Sequence, residues 1–430
     1  MINKLKSKLY NLLRKSEKYT KTDMMYFTHG SFWLTLGQTI SSASSFLLAL
    51  AFANFLPKET FGVYKYVLSI VGILTITTLP GISTTVTQAI ARGYEGSFLP
   101  AIKTKIRWGV FGSLTSLVLA GYYYFQGNID LTFSFLIVAV FLPLMDTFML
   151  YDSLLSGKKL FSISTKYGII SQIVATVITA SALFFTGNLF VILLAYFASW
   201  TILRYIFLKI TLKKFRLNNK EDPETISYGK HLSFVGIIGN IATYLDRLLI
   251  FHYLGATEVA IYSIAIAPID QIKNLFKNIP TLAMPKLAQR SFKEIDAILY
   301  KRLFYLFLTG LIIAVTYFVL APLFFKLFFP KYLESVFYSR LFSLSIVLNA
   351  MLSFLNVVGN SKITKTPKKM VYQPTVIIHT ILIVSLLILT PQLGTSGVVF
   401  SRLIFLFSTI VISIIYWKKV YKFNLTLSSF

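Results

Sequence analysis

Several ionisable side chains stand inside stretches that are otherwise apolar, and their spacing is chemically suggestive. Asp270, Lys273 and Lys277 fall at i, i+3 and i+7, so on a helix they share one face, near the middle of the apolar run from Val259 to Met284. An ionisable side chain at the centre of a bilayer costs ~2.5 to 3.5 kcal/mol on insertion scales, so its presence points to a cavity or a partner. This face is read either as a cationic lining for an anionic substrate or as an Asp270–Lys273 pair with Lys277 reaching back to the headgroups. In Tyr244-Leu245-Asp246-Arg247-Leu248-Leu249 the two charged residues are adjacent, hence about 100° apart around a helix, and each needs its own neighbour. Arg247 suits a phosphate or a sugar and Asp246 a proton or cation; a structural network between helices is the alternative for both. Asp146, after Pro143 in another apolar run, is a further charge-balancing or ion-coupling candidate, and Arg92 joins the cavity candidates. Ser345, Asn349, Ser353, Asn356 and Asn360 form a polar stripe, read first as packing between helices and second as a substrate face.

Other chemistries lack their residues. Without cysteine there is no disulfide, thiolate metal site or cysteine nucleophile. His29, His231, His252 and His379 show no ligand-like spacing, so no metal is expected. No GxxxxGK[ST] or GxSxG motif occurs, so neither ATP-driven pumping nor serine hydrolysis is expected, and no cofactor is implied. The expectation is a protein that is not an enzyme.

The elements that must position these side chains follow from hydropathy. Of the 430 residues 55% are hydrophobic and 13% charged, with mean hydropathy +0.69. Twelve apolar runs are long enough to span a bilayer: Gly30 to Phe52, Gly62 to Ser83, Trp108 to Phe125, Leu131 to Tyr151, Ile163 to Phe185 and Leu189 to Phe207, then Leu232 to Tyr253, Val259 to Met284, Phe304 to Leu323, Phe337 to Val358, Val371 to Leu389 and Gly397 to Trp417. Of the 42 Lys and Arg, 35 fall on one side if both termini are cytoplasmic. The net charge of +26 is therefore read as cytoplasmic-leaflet charge that attracts anionic membrane lipids, and nucleic acid is excluded as a partner. In this count Lys58 and Lys65 belong at the outer boundary, while Arg247, Arg340 and Arg402 lie within spans.

The fold class expected is an all-α polytopic membrane protein with 12 transmembrane helices in two six-helix lobes, related by a pseudo-two-fold axis along the membrane normal. Residues 1–28 form a basic amphipathic segment, read as an interfacial helix or a basic tail. The first lobe covers 29–208, a cytoplasmic linker 209–230, the second lobe 231–417 and a cytoplasmic tail 418–430. Shifting the sequence on itself by 198 residues places Leu56 on Leu254, Tyr64 on Tyr262 and Arg92 on Arg290. With six spans per half the repeat is parallel, a common organisation of transporters.

Phe61-Gly62-Val63-Tyr64-Lys65-Tyr66-Val67-Leu68-Ser69-Ile70, then Leu79-Pro80-Gly81 and Ala91-Arg92-Gly93, resemble the second helix of polysaccharide biosynthesis proteins. Leu245-Asp246-Arg247-Leu248-Leu249-Ile250, Tyr253-Leu254-Gly255 and Ile261-Tyr262-Ser263-Ile264-Ala265 are similar to the seventh and eighth helices of Wzx-type oligosaccharide flippases, in the multidrug, oligosaccharidyl-lipid and polysaccharide exporter superfamily. The topology covers the whole chain; the motifs are short, and Ala260 stands where Gly would be expected. The resemblance implies two lobes around a central cavity lined by the first, second, seventh and eighth helices, opening alternately to either side. It would put Asp246, Arg247, Asp270, Lys273 and Lys277 near the transport path.

The function expected is translocation of a polyprenyl-diphosphate-linked oligosaccharide from the inner to the outer leaflet of the cytoplasmic membrane, for surface polysaccharide assembly. The diphosphate or acidic sugars would meet Arg247, Lys273 and Lys277, and separate glycosyltransferases and a polymerase would be partners. The alternatives are a peptidoglycan-precursor flippase or a multidrug antiporter of the same superfamily, and, further off, a glycan polymerase or ligase. Organic cations fit poorly to a Lys-bearing helix, and a polymerase needs a larger outer loop than any present.

Overall fold

The computed structural model describes residues 24–276, 287, 289–362 and 368–428, and no strand occurs among them. Lys277, Pro280 and Pro285 lie outside the described residues, as does the predicted amphipathic segment up to residue 23. The first half comprises α1 (Met24–Phe55), α2 (Lys58–Leu74), α3 (Gly81–Ala91), α4 (Phe98–Phe125), α5 (Ile129–Phe148), α6 (Leu150–Gly157), α7 (Phe161–Phe185) and α8 (Leu189–Lys214). The second comprises α9 (Glu224–Val235), α10 (Ile237–Leu254), α11 (Ala256–Phe276), α12 (Phe292–Phe328), α13 (Ser335–Phe342), α14 (Leu344–Ser361) and α15 (Lys368–Ser428). Aliphatic and aromatic side chains remain on the outside, such as Val118 at 71% exposure and Phe125 at 88%, as a surface solvated by lipid requires. The chain is a multi-pass, all-helical membrane protein.

Several predicted spans are two helices meeting at a break. The second passes from α2 through a 3-10 turn, Thr75–Thr78, and a left-handed Leu79 before Pro80 starts α3. The seventh is α9 and α10, bent by 42°. Among the described residues eight helices are long and apolar enough to cross a membrane, nine with that bent pair. The difference from twelve has physical causes. Tyr122, Tyr123 and Tyr124 dilute the hydropathy of α4, and Asp270, Gln271, Lys273 and Asn274 do the same for α11. The stretch Gln373–Asn424 is one element of 52 residues, about 78 Å at ~1.5 Å per residue, more than twice the ~30 Å hydrocarbon core. It reverses at Gly394, whose φ of 60° and ψ of −139° a side chain would resist. A Cβ on Gly397 would lie 2.0 Å from the Leu389 carbonyl oxygen, although eight residues of straight helix would separate them by about 12 Å.

Prolines inside spans leave carbonyls without their helical donor, and neighbouring helices supply one. Pro143 frees the Ala139 carbonyl, which accepts from the Ser113 hydroxyl at 2.6 Å. Pro322 frees that of Phe318, which accepts from Arg340 Nε at 3.0 Å while the guanidinium lies 4.8 Å from the Phe318 ring. Arg340 thus serves the backbone of α12.

Helix pairings recur along the chain. In the first half α1 packs on α7 and α4 on α5; in the second, α10 packs on α15 and α12 on α13 and α14. Between the halves, α2 packs on α10 and α11, α3 on α9, and α1 on α11. Gly62 lets α2 approach the start of α11 so closely that a Cβ would fall 1.7 Å from the Ala256 carbonyl oxygen. Ala260, at the corresponding place in the second half, is fully buried in an apolar cluster with Phe61 and Val67 of α2. At one end of this seam Lys58 pairs with Glu334, Lys331 donates to the Asn54 carbonyl at 2.6 Å, and Phe46 meets Phe324, Phe328 and Phe329. At the other end the Arg92–Asp222 pair, and Asn218 donating to Glu95 and to the Gly93 carbonyl, hold the 215–223 connection against the first half, where Lys158 pairs with the same Glu95.

Candidate functional site: a cationic centre between the halves

The helix α11 carries the centre. From Val259 to Ile269 nearly every side chain is buried, because both halves surround this helix, and an all-round apolar surface satisfies that position. Beyond Pro268 the same helix becomes polar. Lys273 Nζ donates to Asp270 Oδ1 at 3.2 Å and sits 4.4 Å from the Phe342 ring. Across the seam, Lys65 of α2 interacts electrostatically with both Arg247 and Asp270, and forms no ion pair among the described residues. Arg402 of α15 adds its field to that at Lys273. Arg247 Nε is buried with no hydrogen-bond partner among the described residues.

Asp246 is the most heavily bonded group here. Its Oδ2 accepts from Tyr262 at 2.8 Å and from Arg402 Nη2 at 2.7 Å, and its Oδ1 from the Arg247 amide at 2.8 Å. Arg402 Nη2 also donates to the Thr243 carbonyl at 2.7 Å. This joins α10, α11 and α15, so the sequence alternative of a helix-to-helix network describes Asp246. Arg247, pointing a different way around α10, is not part of it through its side chain. Lys65, Arg247, Lys273 and Arg402 face two carboxylates, buried Asp246 and half-exposed Asp270, leaving an excess of positive charge at the seam.

Beside Lys65 a cavity of about 230 Å³ opens between α1, α2, α7 and α8, lined by Ser45, Tyr64, Gln172, Thr176, Tyr196 and Trp200. Hydroxyls, an amide and aromatic faces next to a cation suit a hydroxylated, anionic molecule.

The other predicted residues lie apart. Asp146 belongs to a buried cluster in the first half: Lys105 Nζ is 2.8 Å from its Oδ2, Thr78 donates to the same oxygen at 2.5 Å, and Arg204 Nη1 donates to the adjacent Met145 carbonyl at 2.9 Å. Arg92 is away from the centre, half-exposed and paired with Asp222 at 2.5 Å. Among the described residues no three His, Asp or Glu side chains come together as metal ligands. Of the stripe, Asn349 and Ser353 bond back to their own helix at Ser345 and Ala350.

Sequence reasoning did not single out Lys65, Lys105 or Arg402. Lys65 follows Lys58 and Glu59 closely and reads as charge at the outer boundary. Lys105 stands between Lys103 and Arg107 and reads as loop charge. For Arg402 a signal existed: the shift of 198 residues that aligns Tyr64 with Tyr262 also aligns Arg204 with Arg402.

A family model described as polysaccharide biosynthesis protein matches residues 27–290, more than half of the chain. The chain belongs to the polysaccharide biosynthesis protein family. None of the curated proteins compared matches it in sequence. In fold this family member is similar to the eukaryotic MATE transporter AtDTX14, at 14% identity and TM-score 0.65 over 93% of this chain and 98% of that one. It is equally similar to the lipid II flippase MurJ in an inward closed conformation, at 12% identity and TM-score 0.65 over 92% of each chain. A MOP-superfamily transporter from Pyrococcus furiosus, described as having a binding pocket of reversed polarity, aligns at 12% identity and TM-score 0.58 over 93% of this chain and 96% of that one. The fold of this polysaccharide biosynthesis protein is that of the MOP-superfamily transporters.

Proposed function

We propose that this polysaccharide biosynthesis protein is a flippase for a polyprenyl-diphosphate-linked oligosaccharide. It carries the repeat unit from the inner to the outer leaflet of the cytoplasmic membrane by alternating access between two six-helix lobes, twelve spans in all, with both termini cytoplasmic. The recurrence of helix pairings supports the two lobes. The observation that carries the functional reading is the excess of cations at Lys65, Arg247 and Lys273, drawn from both halves, with one guanidinium nitrogen of Arg247 buried and unpaired.

A diphosphate and a hydrated glycan cannot cross ~30 Å of hydrocarbon unaided, since each buried charge or unpaired polar group costs several kcal/mol. Cations in excess of their counter-ions replace water around the phosphates, and the hydroxyl and aromatic cavity beside Lys65 takes sugars, while the prenyl chain stays in lipid. Lys277, four residues further along the sequence, is a further candidate for the same contact. Asp270 balances Lys273, Asp146 holds its lobe, and Asp246 holds its own while offering a carboxylate for ion coupling. Glycosyltransferases supply the lipid-linked unit and a polymerase consumes it.

The test is the sidedness of lipid-linked oligosaccharide in cells with and without the gene, read with a membrane-impermeant probe. The reading expects build-up on the inner face on deletion, reversed by the wild-type gene. Normal sidedness with single repeat units outside would transfer the assignment to a polymerase. The MurJ likeness makes a peptidoglycan precursor the second cargo to assay, and its accumulation inside in place of the oligosaccharide would replace the first.

A further inference from the structure

A second polar cavity, of about 190 Å³, lies away from the centre, between the end of α14 and the two arms of α15. It is smaller than the ~300–1,000 Å³ that drug-sized ligands occupy, so a whole oligosaccharide does not fit. It is lined by Leu355 and Val358, by the amides of Asn356 and Asn360 and by the hydroxyls of Ser413 and Tyr416. These amides are the end of the polar stripe. Farther along it Asn349 and Ser353 donate to their own helix, but Asn356, Asn360, Ser413 and Tyr416 have no hydrogen bond among the described residues. Packing explains the first part of the stripe and leaves the second unexplained.

Charge gathers at the same place. Lys362, only 4% exposed, lines the cavity and donates to the Arg290 carbonyl at 2.5 Å. Lys418 and Lys419 lie over the rings of Tyr300 and Tyr416. Trp417, also in the wall, stacks on Phe292 and donates to Asp296 at 3.0 Å. Tyr and Trp beside lysines, at the end of apolar helices, are the composition of a membrane interface.

From this we infer that the cavity holds the headgroup of an anionic glycerophospholipid. The lysines attract its phosphodiester, Asn356 and Asn360 with Ser413 and Tyr416 bond its phosphate and glycerol oxygens, and its acyl chains lie in the surrounding lipid. A basic pocket between spans is where such headgroups bind in other membrane proteins. The bound lipid ties the ends of α14 and α15 to one leaflet. This inference does not depend on the cargo.

The experiment uses the full chain in phosphatidylcholine nanodiscs carrying a small fraction of brominated phosphatidylglycerol, or the same fraction of brominated phosphatidylcholine, with Trp33→Phe, Trp108→Phe and Trp200→Phe leaving Trp417 as the fluorophore. Phosphatidylglycerol is expected to quench Trp417 at a lower fraction than phosphatidylcholine by about fivefold or more, the factor one surface cation contributes. Asn356→Ala with Asn360→Ala should bring the two lipids together. Equal quenching in the starting protein, or a preference untouched by the double variant, overturns the inference. Relief of quenching by inorganic phosphate at unchanged ionic strength would reassign the site to free phosphate and overturn the lipid. Native mass spectrometry of the chain with all its tryptophans gives the same answer without the Trp variants: a retained phosphatidylglycerol in the wild type, absent from the Asn double variant, is expected, and equal retention overturns the inference.

Discussion

Around Asp146 each cation is bonded, Lys105 to the carboxylate and Arg204 to the Met145 carbonyl, whereas around Arg247 two cations are left without such partners among the described residues. Lys105 and Asp146 meet at 2.8 Å with Thr78 as a further donor, and Lys105 is fully buried. At the seam, Lys65 has no ion-pair partner among the described residues and Arg247 keeps an unpaired nitrogen, while the nearest carboxylates are already bonded to Lys273 and Arg402. A closed pair inside one half holds helices together. A surplus of one sign where two halves meet is an arrangement completed by something else, since like charges in a poorly solvated interior repel at a cost that an arriving anion removes. The contrast separates scaffold from site without reference to position in the sequence.

The sharpest way to break that contrast is at the balanced pair. Asp146→Asn leaves Lys105 buried and uncompensated, and breaking such a pair costs about 3–5 kcal/mol, so thermal unfolding in detergent should drop markedly. Lys105→Met with Asp146→Leu should restore most of the stability, because well-packed apolar side chains replace buried pairs at little cost. If Asp146→Asn keeps full stability and loses only transport, Asp146 is an ion-coupling group and the contrast fails.

At the seam the expectation is inverted, with transport lost and stability kept. The pair of changes Lys273→Ala and Lys277→Ala should reduce flipping about 100-fold or more, at ~1.5–3 kcal/mol for each charged hydrogen bond lost, with an unchanged unfolding profile. Normal flipping in that variant would sink the anion site. Lys65→Met and Arg247→Met should each reduce transport about 10- to 100-fold on the same basis, and leave the protein as stable as before or more so, since each removes an unsatisfied cation. A clear loss of stability in either would move that residue from site to scaffold. The smallest effect belongs to Arg92→Ala. Its half-exposed pair with Asp222 is worth about 0–1 kcal/mol, and transport by that variant should match the wild type.

Part of this was written locally in the chain. Asp270 and Lys273 share a face because three residues nearly complete a helical turn, and they do bond. Asp246 and Arg247, one residue apart, could not share a neighbour through their side chains, and Asp246 found Tyr262 and Arg402 instead. The bends at Pro80 and between α9 and α10 followed from proline, glycine and polar residues inside apolar runs. Arg92 was different. Its alignment with Arg290 reported a repeat in the fold and carried no information about distance from the cavity.

The apolar periods were determined by the sequence alone, because the bilayer's demand for long apolar helices acts on each segment separately, and the lack of cysteine rules out thiol chemistry in the same direct way. The positions of charges along those helices were equally local. Which charges meet was decided only by tertiary structure. Lys105 reaches Asp146 across 41 residues and Arg402 reaches Asp246 across 156, and no local rule links such positions. Lys65, near the start of α2, is a member of the centre because α2 packs on α10 and α11, so that helices from two halves bring their cations together at the seam.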